Sequence, residues 1–188
     1  MLDLVRPFAF LTIRHPSRLP GAINWLAPLI LALLVSAALL APSVSINIYG
    51  PQGLLERLLS FVQTLVGFYI AALAAVSSFN SPHLDKIMPH PAPTMYIKHN
   101  GVLQLVQATR RRFLTSMFAY LAAISFLFAL MAIATLTAVP AVRATWPFEV
   151  VSVIRALGIF CFLFIIFQLA LVTLWGLFYL GERMLTPD

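Results

Sequence analysis

The sequence predicts an all-α integral membrane protein. It has four transmembrane helices, with a cytoplasmic loop between the second and third that is a candidate for a small β-hairpin. Three observations predict this. Composition comes first: 61% of the 188 residues are hydrophobic and only 10% are charged, with a mean hydropathy of +0.95. Soluble domains carry roughly 25% charged residues. The second observation is four apolar stretches, near Trp25–Ala41, Leu58–Val76, Leu114–Val139 and Val150–Leu180. A helix needs roughly 20 mainly apolar residues to cross the bilayer core, and backbone amides in lipid must be satisfied within the segment. These runs are apolar on every face, unlike the short alternating segments of a β-barrel.

The third observation is charge asymmetry. Arg6, Arg14, Arg18, Lys86, Lys98, Arg110, Arg111, Arg112 and Arg183 fall on one side of the predicted spans. Arg57, Arg143 and Arg155 fall on the other. The positive-inside rule then places both termini and the long 79–112 loop in the cytoplasm. The net charge of +6 reads as topology rather than as a nucleic-acid footprint, so direct nucleic-acid binding by this chain is not expected. In a Cys161→Ala background, a cysteine at Thr145 should react with an impermeant outer label and one at Ser81 should not. The reverse pattern would invert the topology.

The chain reads as one four-helix membrane domain, 1–188, carrying the 79–112 loop as an insertion. Residues 1–20 hold Leu2, Leu4, Val5, Phe8, Phe10, Leu11 and Ile13, broken by Asp3, Arg6 and Arg14. Such a segment lies along the inner interface with its apolar face down, and Pro16 and Pro20 turn the chain inward. This segment is long for the n-region of a signal peptide, so the first stretch is expected to remain as a span. The outer loops, about Pro42–Gly53 and Pro140–Glu149, are too short for an ectodomain. The second and third spans are expected to pack together through small residues: Gly67, Ala71 and Ala75 in one, and Ala119, Ala123, Ser125 and Ala129 in the other. Most of the bulk of the fourth span, Phe160, Phe162, Phe164, Phe167, Trp175 and Phe178, should face lipid or a neighbouring subunit. Cys161 should pack as a small apolar side chain.

The insertion has two readings. Asn100-Gly101 favours a tight two-residue turn between strands Met95–Ile97 and Val102–Val106. The alternative is a third helix that starts near Gly101 and projects inward. His83, Asp85, His90 and His99 lack the tight spacing of metal sites, and water- or backbone-bonded loop histidines are the simpler reading. No nucleophile elbow, phosphate loop or HExxH pattern occurs, so neither an enzyme nor a cofactor is expected. Arg110, Arg111 and Arg112 fan out around the start of the third span. Cations in a helix's first turn oppose its macrodipole, so lipid headgroups, an earlier helix start or an acidic partner must compensate. Gln63 and Gln168 are the notable polar groups within spans, where no ionisable residue lies centrally.

The stretches "FYIAALAAVSSFNSP" (Phe68–Pro82), "LDKIMP" (Leu84–Pro89) and "TRRRFLTSMFAYLAAISF" (Thr109–Phe126) resemble the membrane subunit of the Kiwa anti-phage defence system. The resemblance covers about a third of the chain and carries no residue-level functional motif. It implies a bacterial inner-membrane homo-oligomer, a tetramer, beside a cytoplasmic DNA-binding partner. It also implies a role in sensing envelope disturbance and holding or releasing that partner.

The leading expectation is a non-enzymatic sensor and scaffold that docks a cytoplasmic partner through His90–Arg112. Tyr96, Ile97, Leu103 and Leu105 would be apolar anchors and Lys98 would supply charge. The alternative is a small homo-oligomeric channel with Gln63, Thr64 or Gln168 lining its pore. An assembly factor for another membrane protein is a third class.

Overall fold

The computed structural model describes residues 2–13, 21–41, 46–88, 92–99 and 102–180, with the backbone alone for 2–5, 97–99 and 102–103. Arg14, Pro16, Arg18, Pro20, His90, Asn100-Gly101 and Arg183 lie outside the described residues. Among the described residues, four helical segments are long and apolar enough to cross a membrane: Ala22–Leu40, Leu54–Ser78, Arg110–Thr145 and Phe148–Phe178. This is a multi-pass membrane protein. A small two-stranded sheet lies between the second and third spans.

The first span opens with a π-helical turn, Ala22–Leu26, and continues as α1, Ala27–Leu40. The turn has a local cause. Pro28 has no N–H, so the Asn24 carbonyl loses the donor a regular α-helix would place four residues on. Transmembrane helices accommodate such a proline through π adjustments and neighbouring polar side chains. Both occur here, since Gln168 Nε2 donates to the Asn24 carbonyl at 2.9 Å.

The second span is α2, Leu54–Ser78, followed by the one-turn helix α3, Pro82–Asp85. The third, α4 (Arg110–Thr145), begins at Thr109, whose side-chain oxygen accepts from the Arg112 amide at 3.4 Å. Its 36 residues rise about 54 Å at 1.5 Å each, well beyond a hydrocarbon core of about 30 Å. Pro140 does not end it, contrary to the expected Pro140–Glu149 loop. The alanine-rich run after Pro140 keeps the helix going until Trp146, and α5, Phe148–Phe178, starts beyond Pro147. The connection is therefore only Trp146-Pro147.

The packing also revises the helix faces. α2 and α4 do pair extensively, but α2 contributes Leu55, Leu59, Val62, Tyr69 and Val76 to the interior. Gly67 and Ala71 face outward instead, and a Cβ at Gly67 would meet nothing within 4 Å. Ser125 and Ala129 of α4 are buried, whereas Ala75, Ala119 and Ala123 are half-buried. Phe162 is buried against Phe128, which corrects the expectation that it faces out; Phe178 and Cys161 are exposed.

Tyr69 and Thr173 share a hydrogen bond of 2.5 Å that ties α2 to α5. Thr173 already donates its one proton to the Leu169 carbonyl at 2.6 Å, so Tyr69 is the donor between the helices.

The N-terminal segment Leu2–Thr12 is a 3₁₀ helix packed on the start of α4. Phe10 stacks on Tyr120 at 5.4 Å and touches Phe113 at 5.9 Å. Phe113 also meets Trp175 and Tyr179 of the C-terminal region, at 5.5 and 5.8 Å. One ring therefore joins the N-terminal segment, α4 and α5 at the hairpin end of the bundle.

Candidate functional site: the anchored hairpin

Strands β1, Thr94–His99, and β2, Val102–Gln107, pair antiparallel in the register Tyr96↔Leu105 and His99↔Val102. The hairpin reading of the insertion therefore holds, and α4 starts at Arg110 rather than near Gly101.

Directly opposed residues share a face of the ladder, so Tyr96 and Leu105 form one cross-strand apolar pair. They are 46% and 54% exposed. The opposite pair is Met95 with Val106, and Met95 packs against buried core residues. Met95 thus leans on the protein, while Val106 beside it and the Tyr96–Leu105 pair are exposed. Lys98 lies opposite Leu103 and Ile97 opposite Gln104. Register positions 96, 98, 103 and 105 belong to one face and position 97 to the other, so Ile97 does not join the other proposed anchors.

The hairpin is mounted on a short backbone ladder. The Ala108 amide donates to the Pro93 carbonyl at 2.9 Å, and the Met88 amide donates to the Ala108 carbonyl at 3.1 Å. The Arg110 amide donates to the Lys86 carbonyl at 3.0 Å. Leu84, Met88, Pro93 and Ala108 are buried beneath it. This small core and its ladder supply the support that a lone hairpin lacks in water.

The arginine triplet divides into three fates. Arg110 is buried and Arg112 is exposed. Arg111 grips Asp85 with two donors, Nε to Oδ1 at 2.8 Å and Nη2 to Oδ2 at 3.2 Å. Its Nη1 donates to the Val76 carbonyl at 2.9 Å and the Ser77 carbonyl at 3.4 Å. These are terminal carbonyls of α2, where a cation complements the helix dipole. The acidic compensation for Arg111 therefore lies within the chain, at Asp85. In the sequence, Asp85 stands out only as a candidate metal ligand. Arg111 ties the end of α2, the one-turn helix α3 and the start of α4 into one base for the hairpin.

The Arg111 guanidinium holds the Asp85 carboxyl below its ordinary value of 3.8. The clamp is then at full strength above that value and is lost as pH falls below it. Asp85→Ala should raise amide exchange across 94–107 at neutral pH and leave the spans protected. Exchange in the hairpin that matches wild type would remove the clamp from the account.

Of the two glutamines within the spans, Gln168 is buried at 4% exposure and bonded to the Asn24 carbonyl, which takes it out of a pore lining. Gln63 and Thr64 are exposed on α2. They share that outward face with Ser60, Gly67 and Ala71, so its polar and small positions form a stripe rather than isolated points. The Asn24–Gln168 link was hidden from the sequence because 144 residues separate its ends; Pro28, four residues after Asn24, was the available signal.

No protein-family model matches the chain, and no curated protein and no solved structure matches it.

Proposed function

We propose that this chain is a non-enzymatic membrane scaffold that docks a cytoplasmic protein through the hairpin. The observation that carries the reading is the exposed Tyr96–Leu105 pair on a hairpin whose base is clamped to α2 and α4. A hairpin offers free strand edges for β-augmentation, with side-chain anchors for specificity. Interfaces concentrate their energy in a few central anchors, tyrosine prominent among them.

The Kiwa resemblance supplies the finer version of the same reading. The chain is then the sensor subunit of an inner-membrane anti-phage complex, homo-oligomeric, holding a DNA-binding effector. The clamp suits such a role, because any change in the spacing of α2 and α4 reaches the hairpin through Arg111.

The test is capture of the neighbouring gene product from native membranes. Tyr96→Ala and Leu105→Asp should each cut capture by about tenfold or more, the equivalent of one anchor residue. Full capture by both well-inserted variants would reject the hairpin as the dock.

The channel reading keeps one specific observation in its favour, the stripe of Ser60, Gln63, Thr64, Gly67 and Ala71 on the outward face of α2. In an oligomer this face meets either another helix or a water-filled axis. Gly67→Leu is expected to change the oligomer while the single-chain fold persists, since space is open at that position. Oligomer size in detergent, together with far-ultraviolet dichroism, checks this. An unchanged oligomer would remove the stripe from the interface. Conductance in liposomes without a partner, abolished by Gln63→Leu, would put the channel first.

A further inference from the structure

At the end of the bundle opposite the hairpin, a cavity of about 240 Å³ opens between the last turns of α4 and the first turns of α5. Its walls are apolar, with Val139 and Val142 on one helix and Phe162 on the other. Tyr49, from the loop before α2, closes one side. Its hydroxyl donates to the Arg155 carbonyl at 3.1 Å, and it lies so close to Gly158 that a Cβ there would meet the hydroxyl at 2.6 Å. Arg143 and Arg155 also line the cavity, one from each helix, and among the described residues no acidic one does. Among the described residues, neither arginine forms an ion pair with a carboxylate. Glu56, the acid nearest in sequence to Tyr49, is engaged with the Gln52 amide, and Glu149 does not line the cavity.

We propose that this crevice binds an anionic membrane phospholipid, with the phosphate between Arg143 and Arg155 and part of one acyl chain against Val139 and Phe162.

Both arginines are exposed and line one apolar crevice, which leaves their guanidiniums available to an anion at its mouth. Arginine favours phosphate oxygens because its donors form a planar fork. Arg143 lies about one helical turn from the Trp146-Pro147 tip and Arg155 about two, near the span ends, where arginine side chains reach the headgroup layer. The volume falls short of the ~300–1,000 Å³ that encloses a whole drug-sized ligand. It suits a chain segment whose headgroup stays outside. Burial pushes the Tyr49 phenol up to about 12, against the opposing influence of Arg155 and Arg143. That phenol therefore stays neutral, as a wall beside an anion should. The site is independent of the hairpin and of any reading of it.

The probe is dioctanoyl phosphatidylglycerol, added to the delipidated full-length chain in detergent and followed by native mass spectrometry and thermal shift. Dioctanoyl phosphatidylcholine, inorganic phosphate and decanoate are the comparison arms. Wild type should bind the glycerol lipid about tenfold more tightly than the choline lipid, the scale of one charge-assisted hydrogen bond. Arg143→Gln with Arg155→Gln should erase that preference, and the paired lysine variant should keep most of it. Ala138→Trp, which fills the cavity and leaves both arginines, should remove binding of both lipids. Removing positive charge from this end reinforces the charge bias that orients the chain, so insertion is not at risk. Equal binding of the two lipids by wild type would overturn the proposal. So would retained preference in the double glutamine variant, or unchanged binding in Ala138→Trp. Decanoate or phosphate alone matching the glycerol lipid would assign the site to a free acid or ion and overturn it as well.

Discussion

Replacing Gln168 by leucine is expected to cost about 1–3 kcal/mol, the penalty for leaving a buried acceptor without a donor. The acceptor is the Asn24 carbonyl, which Pro28 has already deprived of its intrahelical partner. Gln168 Nε2 is the donor that replaces it. The same logic predicts a rescue. Pro28→Ala restores an N–H four residues after Asn24 and lets the π-helical turn revert to α. Gln168→Leu should therefore cost much less in the Pro28→Ala background. A double-mutant cycle on the unfolding of the detergent-solubilised protein measures the coupling. Additive effects would mean that the amide serves something other than the carbonyl left by Pro28.

Phe113→Ala is expected to be at least as damaging, at about 3 kcal/mol by comparison with buried phenylalanines elsewhere. Phe113 is 1% exposed, with Phe10, Trp175 and Tyr179 around its ring. In lipid the hydrophobic transfer contribution fades, but packing contacts remain the main force between helices. The cavity would open where the N-terminal segment, α4 and α5 converge. Residues 6–12 should then become cleavable by protease and lose exchange protection, while Leu121–Ala132, deeper in α4, should not. Normal protection of residues 6–12 would show that Phe10 and Tyr120 hold the segment unaided.

The spans were legible because lipid leaves a continuous apolar segment one solution, the helix, and composition announces it. Boundaries were less so. Pro140 reads as a stop in an isolated sequence, yet α4 continues through it to Thr145. Helix faces were harder still. When every face is apolar, the pattern does not say which side of α2 meets α4. The bulky Leu59, Val62 and Tyr69 went inward, and Gly67 and Ala71 went out. The hairpin was half legible: Asn100-Gly101 pointed to a turn, but only the register separated position 97 from 96 and 105. The arginine triplet announced that something must balance it. That Asp85 does so, 26 residues before Arg111, depends on a tertiary approach that spacing does not reveal. The arginine-lined cavity depends on three elements, Tyr49, α4 and α5, and no local motif marks it.

The hairpin's exposed face is the proposed dock for a cytoplasmic protein. A photo-crosslinking residue placed at Tyr96, and separately at Leu105, tests it in intact cells. Positions Gln63 and Phe148 serve as controls, the latter 85% exposed at the far end of the bundle. One discrete heterologous protein adduct is expected from both 96 and 105, absent from both controls and weakened by Asp85→Ala. Adducts from 96 and 105 only to lipid, or only to a second copy of the chain, would contradict it.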